Sequence, residues 1–240
     1  MDAAEFQADR LDTRTKLILA AEHLFGQRGI DAVPLGDIIA AAGQRNASAL
    51  QYHIGGREQL VVAILEFRRT AVDARRVELL DHYENSGIAL DEATIAAGLI
   101  MPLVELMLSD PSGGNYICFL SQSFVTERPD ATYRSVARHD RGWRRCERLY
   151  RERHAEIPAR LLAERFAICS RGVFFALADW QRDTASKRSS VQRSGLQSFA
   201  GDLVAMTASA LCAIRERERR FVPFPIPQTR SHHSEPQETR

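Results

Sequence analysis

The chain has 240 residues, of which 45% are hydrophobic and 26% are charged, and its formal net charge is +1. This composition is typical of a soluble globular protein, and the length is enough for one or two domains with a buried core. No uninterrupted apolar run reaches the ~18 residues of a membrane span, so we expect no membrane partner. The polar, acidic start of the chain, MDAAEFQADRLD, is not a signal peptide.

The cysteines give no indication of a metal centre or a disulfide framework. They are far apart and form no CxxC or Cys/His cluster, at Cys118, Cys146, Cys169 and Cys212. We therefore expect free thiols in a cytoplasmic protein, with neither a metal nor a cofactor.

The first predicted helix follows a polar stretch, residues 1–11, that we expect to be a mobile arm. Asp12 or Thr13 can cap this helix, and Gly29 ends it. Its apolar residues recur on one face, at Leu17, Ile18, Ala21, Leu24 and Phe25.

Two short apolar helices follow, joined by a glycine turn. The first has one apolar face, at Leu35, Ile38, Ile39 and Ala42, and Gly43 follows its end. Asn46 can cap the second helix, which stops at Gly55-Gly56. This arrangement is a helix-turn-helix, whose second helix can lie in the DNA major groove. The same pattern is also common in all-α proteins that bind no DNA.

A longer helix is predicted to connect this unit to the rest of the chain, over residues 58–83. Its buried stripe is marked by Leu60, Val61, Ile64, Leu65, Ala71 and Val72. We expect four arginines on its outer, solvated side: Arg68, Arg69, Arg75 and Arg76.

The segment from Thr13 to Phe67 resembles the N-terminal domain of the tetracycline-repressor (TetR) family of bacterial regulators. The resemblance rests on four motifs in order: Ala20-Ala21 to Leu24-Phe25 and Gly29, Asp37-Ile38 to Ala42-Gly43, Tyr52-His53-Ile54, and Arg57-Glu58 with Leu60. It implies a DNA-binding domain over residues 12–57, the connecting helix over 58–83, and a ligand-binding body.

The chain also departs from the usual pattern of that family. Ile54 stands where Phe is usual, Arg57 where Lys is usual, and Pro34 where a capping Ser or Thr is usual. One extra residue lies between Gly43 and Tyr52. The stretch RNASALQYH is similar to a subgroup with a longer turn and an RNxSAxxYH-type recognition helix, and the insertion leaves the register of the base contacts open.

The resemblance and the local pattern together predict which side chains meet DNA. The polar or small residues that begin the second helix are expected at base edges: Arg45, Asn46, Ser48, Ala49 and Gln51. The resemblance implies that Tyr52, His53 and Arg57 hold phosphates. Residues 1–69 contain eight Lys or Arg against nine Asp or Glu. Affinity for DNA must therefore come from a few locally placed groups.

The body is predicted over residues 84–219, and residues 220–240, rich in proline and polar residues, are predicted to be a disordered tail. Five helices are expected in the body, the first carrying Pro102 in its interior: residues 88–109, 115–127, 130–155, 158–183 and 191–219. The third has a basic stripe, which is either a surface for an acidic partner or an ordinary solvated face, at Arg134, Arg138, Arg141, Arg145 and Arg148.

Apolar side chains of the body are candidates for an effector cavity, although they could equally fill the core. His139 would add a polar contact. The other candidates are methionine, aliphatic and aromatic residues, at Met101, Val104, Met107, Leu108, Phe119, Phe124, Trp143, Phe174 and Phe175.

The last two helices are predicted to form a four-helix bundle with a second subunit. The interface is expected to combine small residues with an apolar seam, at Gly172, Ala176, Leu196, Phe199, Gly201, Leu203, Met206 and Ala210. A two-fold dimer would double the contacts of one short recognition helix and would require a palindromic operator.

The sequence contains none of the motifs GxGxxG after a strand, P-loop, HExxH or GxSxG. We therefore interpret the chain as an all-α homodimeric regulator and not an enzyme: a repressor, nucleoid-associated when bound to its double-stranded DNA operator, that a small apolar effector releases. Activation or ligand-independent regulation within the same family is the alternative reading. A helical enzyme or a scaffold without DNA binding is the alternative of another class.

Overall fold

The computed structural model describes residues 11–44, 46, 48–124, 140–184 and 189–212. Within these ranges the chain forms nine helices and no strand, so the all-α class is confirmed for the part described. The helices are α1 Thr13–Arg28, α2 Leu35–Ala41, α3 Ser48–His53, α4 Arg57–Asn85, α5 Glu92–Ser109, α6 Gly113–Ser123, α7 Arg141–Arg153, α8 Ala159–Thr184 and α9 Ser189–Cys212.

The first helix begins and ends as its sequence predicts. The Asp12 carboxylate accepts a hydrogen bond from the Thr15 backbone N–H at 2.8 Å, which satisfies one of the free donors at the start of α1. Gly29 ends the helix with φ +90°, a backbone conformation that side-chain-bearing residues rarely adopt. The apolar face of α1, including Leu17 and Phe25, is fully buried.

The helix-turn-helix is formed by α2 and α3. Gly43 makes the turn between them with φ +70°, as the sequence predicts. The Asn46 side chain accepts the Ser48 backbone N–H at 3.0 Å and so supports the start of α3. Leu50 is the buried anchor of this short helix.

The apolar helix α5 is the central core helix of the body. It is long and apolar enough to cross a membrane by length and composition, but most of it is buried inside the fold. It begins four residues later than predicted because Asp91 accepts the Ala93 and Thr94 backbone N–H groups, both at 3.0 Å, and so caps the helix there. Pro102 lies within the helix, as predicted.

The remaining helices lie near their predicted positions, with shifted ends. Helix α6 begins at Gly113, two residues before the predicted 115. Helix α8 agrees closely with the predicted 158–183. Several predictions lie outside the described residues: most of the arm 1–11, residues 125–139 with His139, Arg134 and Arg138, and the tail 220–240.

The prediction that four arginines of α4 lie on its outer, solvated side was wrong for Arg68 and Arg76. Their side chains are only 6% and 4% exposed. The physical reason is pairing, since Arg68 binds Glu22 and Arg76 binds Asp73 inside the fold. Burial of a guanidinium is tolerated when its charge and its N–H donors are satisfied in this way.

The predicted DNA-binding unit, residues 12–57, packs directly against the body where α1 meets α6. Gly26 lies at this contact, because a Cβ atom there would come within 3.0 Å of both the Asn115 carbonyl oxygen and the Cys118 Cβ. The absence of a side chain at Gly26 therefore lets the two helices approach closely.

This close approach predicts that Gly26→Ala destabilises the protein. Because backbone atoms of α6 stand in the way and cannot move independently, we expect a loss of about 1–3 kcal/mol in the free energy of unfolding, measured by urea denaturation. The matched control is Gly36→Ala in α2, where nothing lies within 4 Å of the added Cβ. It should be neutral or slightly stabilising, and equal losses in both variants would contradict the packing described for α1 and α6.

Candidate DNA-binding surface and effector cavity

The α3 helix presents a polar, solvent-facing surface. Ser48, Gln51, Tyr52 and His53 are all exposed, and Tyr52 is 86% exposed in spite of its aromatic ring. The Tyr52 and His53 rings contact each other edge to face at 5.0 Å. In a helix-turn-helix that binds DNA, residues near the start of the second helix contact base edges in the major groove.

Two of the predicted DNA-binding residues cannot be placed and one has an additional contact. Arg45 and the Ala49 side chain lie outside the described part of the chain. Arg57 donates through Nη1 to the Ile30 backbone carbonyl, and its guanidinium carbon lies 5.9 Å from the centre of the Phe25 ring. Arg57, the first residue of α4, therefore binds the segment that connects α1 and α2. Its contact with a DNA phosphate stays a prediction.

A buried ionic cluster joins the DNA-binding unit to the body. The Arg68 guanidinium on α4 donates to both carboxylate oxygens of Glu22 on α1, at 2.7 and 2.9 Å. It also donates to Asp110 at 2.5 Å and to the Ser112 hydroxyl at 2.6 Å, in the loop between α5 and α6. The Arg68 side chain thus links α4 to α1 and to the loop between α5 and α6.

The electrostatics of this cluster follow from its burial. Burial raises the pKa of Glu22, although Arg68 beside it acts in the opposite direction. Burial also opposes ionisation of Asp110, but hydrogen bonds from Ser112 and Arg68 prevail and lower its pKa. Removing the guanidinium would therefore leave Glu22 buried without the group that stabilises its charge.

A second set of buried charges on α4 holds the start of α7. The Asp73 carboxylate accepts the backbone N–H groups of Gly142 and Trp143, at 2.9 and 3.0 Å, and pairs with Arg76 at 2.9 Å. Arg76 also donates to the Gly98 carbonyl of α5 at 2.8 Å. Asp73 therefore satisfies free donors in the first turn of α7, a role usually filled by a residue of the same helix.

Arg69, one turn before Asp73, pairs through two nitrogens with the Asp140 carboxylate. Burial raises the pKa of Asp140, and the charge of Arg69 counteracts this effect. Asp140 directly precedes α7, so both contacts fix the same helix start to α4.

A cavity of about 180 Å³ lies among α4, α5, α6, α7 and α8. Apolar and aromatic side chains form most of its wall, at Val72, Leu103, Tyr116, Leu120, Phe124, Trp143, Ala167 and Phe174. The polar part of the wall consists of Arg69, Arg76, Asp140, Ser170 and Arg171. An apolar cavity with a few convergent polar groups is the usual form of a small-molecule site.

Three aromatic rings of the cavity wall form a near-parallel stack. The Trp143 and Phe174 ring centres are 6.0 Å apart with an interplanar angle of 12°, and the Phe174 and Phe124 centres are 5.4 Å apart at 17°. A guanidinium lies at each end: Arg76 is 5.5 Å from the Trp143 ring centre and Arg171 is 5.7 Å from that of Phe124. Both distances are within the range of cation–π attraction.

Three of the predicted ligand residues line the cavity, Phe124, Trp143 and Phe174, and their contact with a ligand stays a prediction. The other predicted ligand residues that can be placed do not line it. Phe119 is buried between Phe25 and Tyr116 at the contact with α1, and Phe175 is 39% exposed on another side of α8. The rest are core residues or pack against the core, at Met101, Val104, Met107 and Leu108.

The charged residues of the cavity wall are not among the ligand residues predicted from the sequence. Arg69, Val72 and Arg76 are spaced i, i+3 and i+7, so they share one face of α4. An apolar residue between two arginines on one helix face was the available signal. The sequence instead places Val72 on the buried stripe and both arginines on the solvated side, because the partner Asp140 of Arg69 is 71 residues away.

The residues of the predicted dimer interface differ in how deeply they are buried in the chain. Leu196 and Leu203 are buried in the chain's own core, so they do not belong to a free interface. Ala176 and Phe199 are partly buried, whereas the remaining residues are exposed: Gly172, Gly201, Met206 and Ala210. Further apolar residues share the exposed face of α8, at Leu161, Ile168 and Phe175.

Arg145 of the predicted basic stripe is not a free surface charge. It pairs with Asp81 and with Glu84 of α4, the latter at 2.6 Å. Arg148, the next residue of the stripe, lies 3.8 Å from Glu152 on its own helix. Of the described stripe residues, Arg145 ties α7 to α4, whereas Arg141 and Arg148 are exposed.

No known protein-family profile matches the sequence, and no curated protein matches it. The fold is nevertheless similar to solved structures. A putative TetR-family transcription regulator from Shewanella sp. PV-4 aligns with a TM-score of 0.52 at 14% sequence identity, covering 80% of this chain and 97% of that one. A second structure, described as the molecular basis for control of antibiotic production by a bacterial hormone, aligns with a TM-score of 0.44 at 16% identity, covering 82% and 96%.

The first of these similarities shows a TetR-like regulator fold. It agrees with the resemblance that the sequence motifs of residues 13–67 carry, and it extends over the body, where the sequence alone showed no family motif.

The ionic cluster at Arg68 predicts a large loss of stability for Arg68→Met. Because the substitution leaves Glu22 buried without its partner, we expect a loss of about 3–5 kcal/mol in the free energy of unfolding, measured by urea denaturation. Glu22→Gln in the same background should recover part of that loss, since it removes the uncompensated carboxylate.

The control for this prediction is Arg75→Met on the same helix. Arg75 pairs with Glu105 and Glu78, but its side chain is 48% exposed. Its loss should cost less than about 1 kcal/mol. Similar losses for Arg68→Met and Arg75→Met would show that the buried cluster is not a structural junction.

Proposed function

We propose that this chain is a cytoplasmic, DNA-binding transcriptional regulator that acts as a homodimeric repressor and releases its operator when a small molecule enters the body. The observation that carries the proposal is the exposed polar face of α3 in a helix-turn-helix that α4 joins directly to the wall of an aromatic cavity. The similarity of the fold to a TetR-type regulator supports the same function.

In this proposal α3 lies in the major groove. Ser48 and Gln51 face base edges, and Tyr52 and His53 contact phosphates on either side. Residues 1–69 are not basic overall, so one copy of the unit would bind weakly. A second copy related by two-fold symmetry supplies the missing contacts and restricts binding to palindromic sites.

The second copy is proposed to dock on α8 and α9. Leu161, Ile168 and Phe175 are spaced i, i+7 and i+14 along α8, and Gly172 lies on the same face. Met206, 69% exposed, and Ala210 supply an apolar face on α9. Small residues beside exposed apolar ones allow two helix pairs to approach closely and bury this surface.

The proposed coupling between effector and DNA uses α4 and α6. Both helices line the cavity, α4 through Val72 and α6 through Tyr116 and Leu120. The opposite side of α6 packs on Gly26 of the DNA-binding unit. A ligand that binds better when these helices move apart would shift the dimer to a geometry in which the two α3 helices no longer match the operator spacing.

Two substitutions in α3 separate the proposed roles of its side chains. Gln51→Ala should reduce the preference for one base at one position of each half-site, by about 1–3 kcal/mol. Tyr52→Phe should weaken binding to all duplexes alike, by about tenfold, because it removes one hydrogen bond to a charged group. Fluorescence anisotropy with a selected duplex and its single-base variants measures both effects. A changed base preference in Tyr52→Phe would contradict this division.

The dimer surface is tested by placing a charge at its centre. Ile168, which is 67% exposed, should lie in a desolvated interface, so Ile168→Asp should give monomers and abolish operator binding. The control is Ala163→Asp, an exposed residue on another face of α8, which should remain dimeric. Sedimentation equilibrium gives the mass in each case, and an intact dimer of Ile168→Asp would move the interface elsewhere.

A further inference from the structure

The three arginines of the cavity wall differ in what balances their charge. Arg69 is paired with Asp140, and Arg76 is paired with Asp73. Arg171 lies against the Phe124 ring, and among the described residues no carboxylate pairs with it. The wall therefore has a surplus of positive charge, and that surplus is located at Arg171.

The size and shape of the cavity restrict the apolar part of a ligand. A cavity of about 150 Å³ in an apolar protein core is enough for benzene, and the volume here is about 180 Å³. The stacked rings of Trp143, Phe174 and Phe124 form the aromatic part of its wall. A single ring with a short substituent fits these limits.

We propose, on the basis of the regulator function above, that the effector is a small organic acid: a one-ring apolar body with a carboxylate. The ring lies against the aromatic stack, and the carboxylate pairs with the Arg171 guanidinium. This assignment adds a charged group to an effector that the sequence predicted as apolar with a polar contact at His139.

The other charge classes fit this wall less well. A cationic ligand would meet guanidinium groups at both ends of the stack, where Arg76 and Arg171 already lie against the ring faces. A neutral ligand can accept a hydrogen bond from Arg171 but does not pair with its charge. Arg69 and Arg76 are less suitable partners for an anion, because a carboxylate already balances the charge of each.

Arg171 is a solvent-exposed residue, so water screens its attraction to an anion. The charge should therefore make a moderate contribution to affinity, while the buried rings determine whether a ligand enters. We expect the carboxylate to improve binding about tenfold over a neutral group of the same shape, which is the effect of one charge-assisted hydrogen bond.

Isothermal titration calorimetry of the full chain with three probes tests this proposal. Phenylacetate has the ring and the charge, phenylacetamide has the ring without the charge, and acetate has the charge without the ring. We expect roughly millimolar binding of phenylacetate, as is usual for so few atoms, binding of phenylacetamide about tenfold weaker, and no measurable binding of acetate.

Three variants test whether Arg171 and the cavity are responsible for these affinities. Arg171→Gln should bring phenylacetate down to the affinity of phenylacetamide and leave the amide unchanged. Arg160→Gln, a highly exposed arginine of the same helix that pairs with Glu164, should keep the tenfold preference. Ala167→Leu fills the cavity and should abolish the binding of both aromatic probes.

The proposal is overturned if phenylacetamide binds as well as phenylacetate, if Arg171→Gln keeps the preference, or if phenylacetate does not bind. DNA binding is measured separately by anisotropy, so that failure of the proposed regulator function can be told apart from failure of the proposed ligand class. A chain that prefers the acid but binds no DNA would refute the regulator and support the ligand class. A chain that binds DNA but shows no acid preference would refute the ligand class alone.

Discussion

The contact between Arg68 and Glu22 is the interaction on which the arrangement of this protein depends. It is buried, it has two hydrogen bonds of good length, and it joins the first helix of the DNA-binding unit to the helix that leads into the body. The same guanidinium reaches Asp110 and Ser112 beyond α5. The close packing of Gly26 on α6 lies near the start of that helix. The two units are therefore connected by ionic bonds and by direct helix contact, and not by a flexible linker.

The charges farther along α4 extend this connection to α7 and to the cavity. Arg69, Asp73 and Arg76 follow Arg68 on the same helix and hold the start of α7, while Arg69 and Arg76 also line the cavity. One long helix thus contacts the DNA-binding unit through its first half and the cavity through its middle. The proposed coupling to α3 uses this helix and α6, because both line the cavity and both contact the DNA-binding unit.

Much of the fold could be predicted from the sequence because its helices carry local signals. The cap at Asp12, the turn at Gly43 and the apolar faces of α1 and α8 all depend on residues within one or two turns of each other. The pairings of charges could not be predicted in this way. Glu22 lies 46 residues from Arg68, and Asp140 lies 71 residues from Arg69, so a local pattern showed only arginines on an apparently polar face.

The same difference between local signals and long-range packing applies to the candidate sites. The helix proposed to recognise DNA was predicted from its turn and its motif, and its polar residues Ser48, Gln51, Tyr52 and His53 are exposed. Of two adjacent candidates, Phe174 lines the cavity and Phe175 is exposed, because adjacent residues of a helix point about 100° apart and only tertiary packing decides which one faces inward. Leu196 and Leu203 have the spacing of an intersubunit seam, yet they pack in the chain's own core.

Selection of double-stranded DNA from a random pool by the purified chain is the measurement that tests the central claim, regulation through DNA binding, most directly. The account predicts enrichment of a palindrome whose half-sites are separated by about one or two helical turns, ~10 base pairs each. It also predicts that two chains bind each duplex. Failure to enrich any sequence, or enrichment of a site without two-fold symmetry that is bound by a single chain, would contradict it.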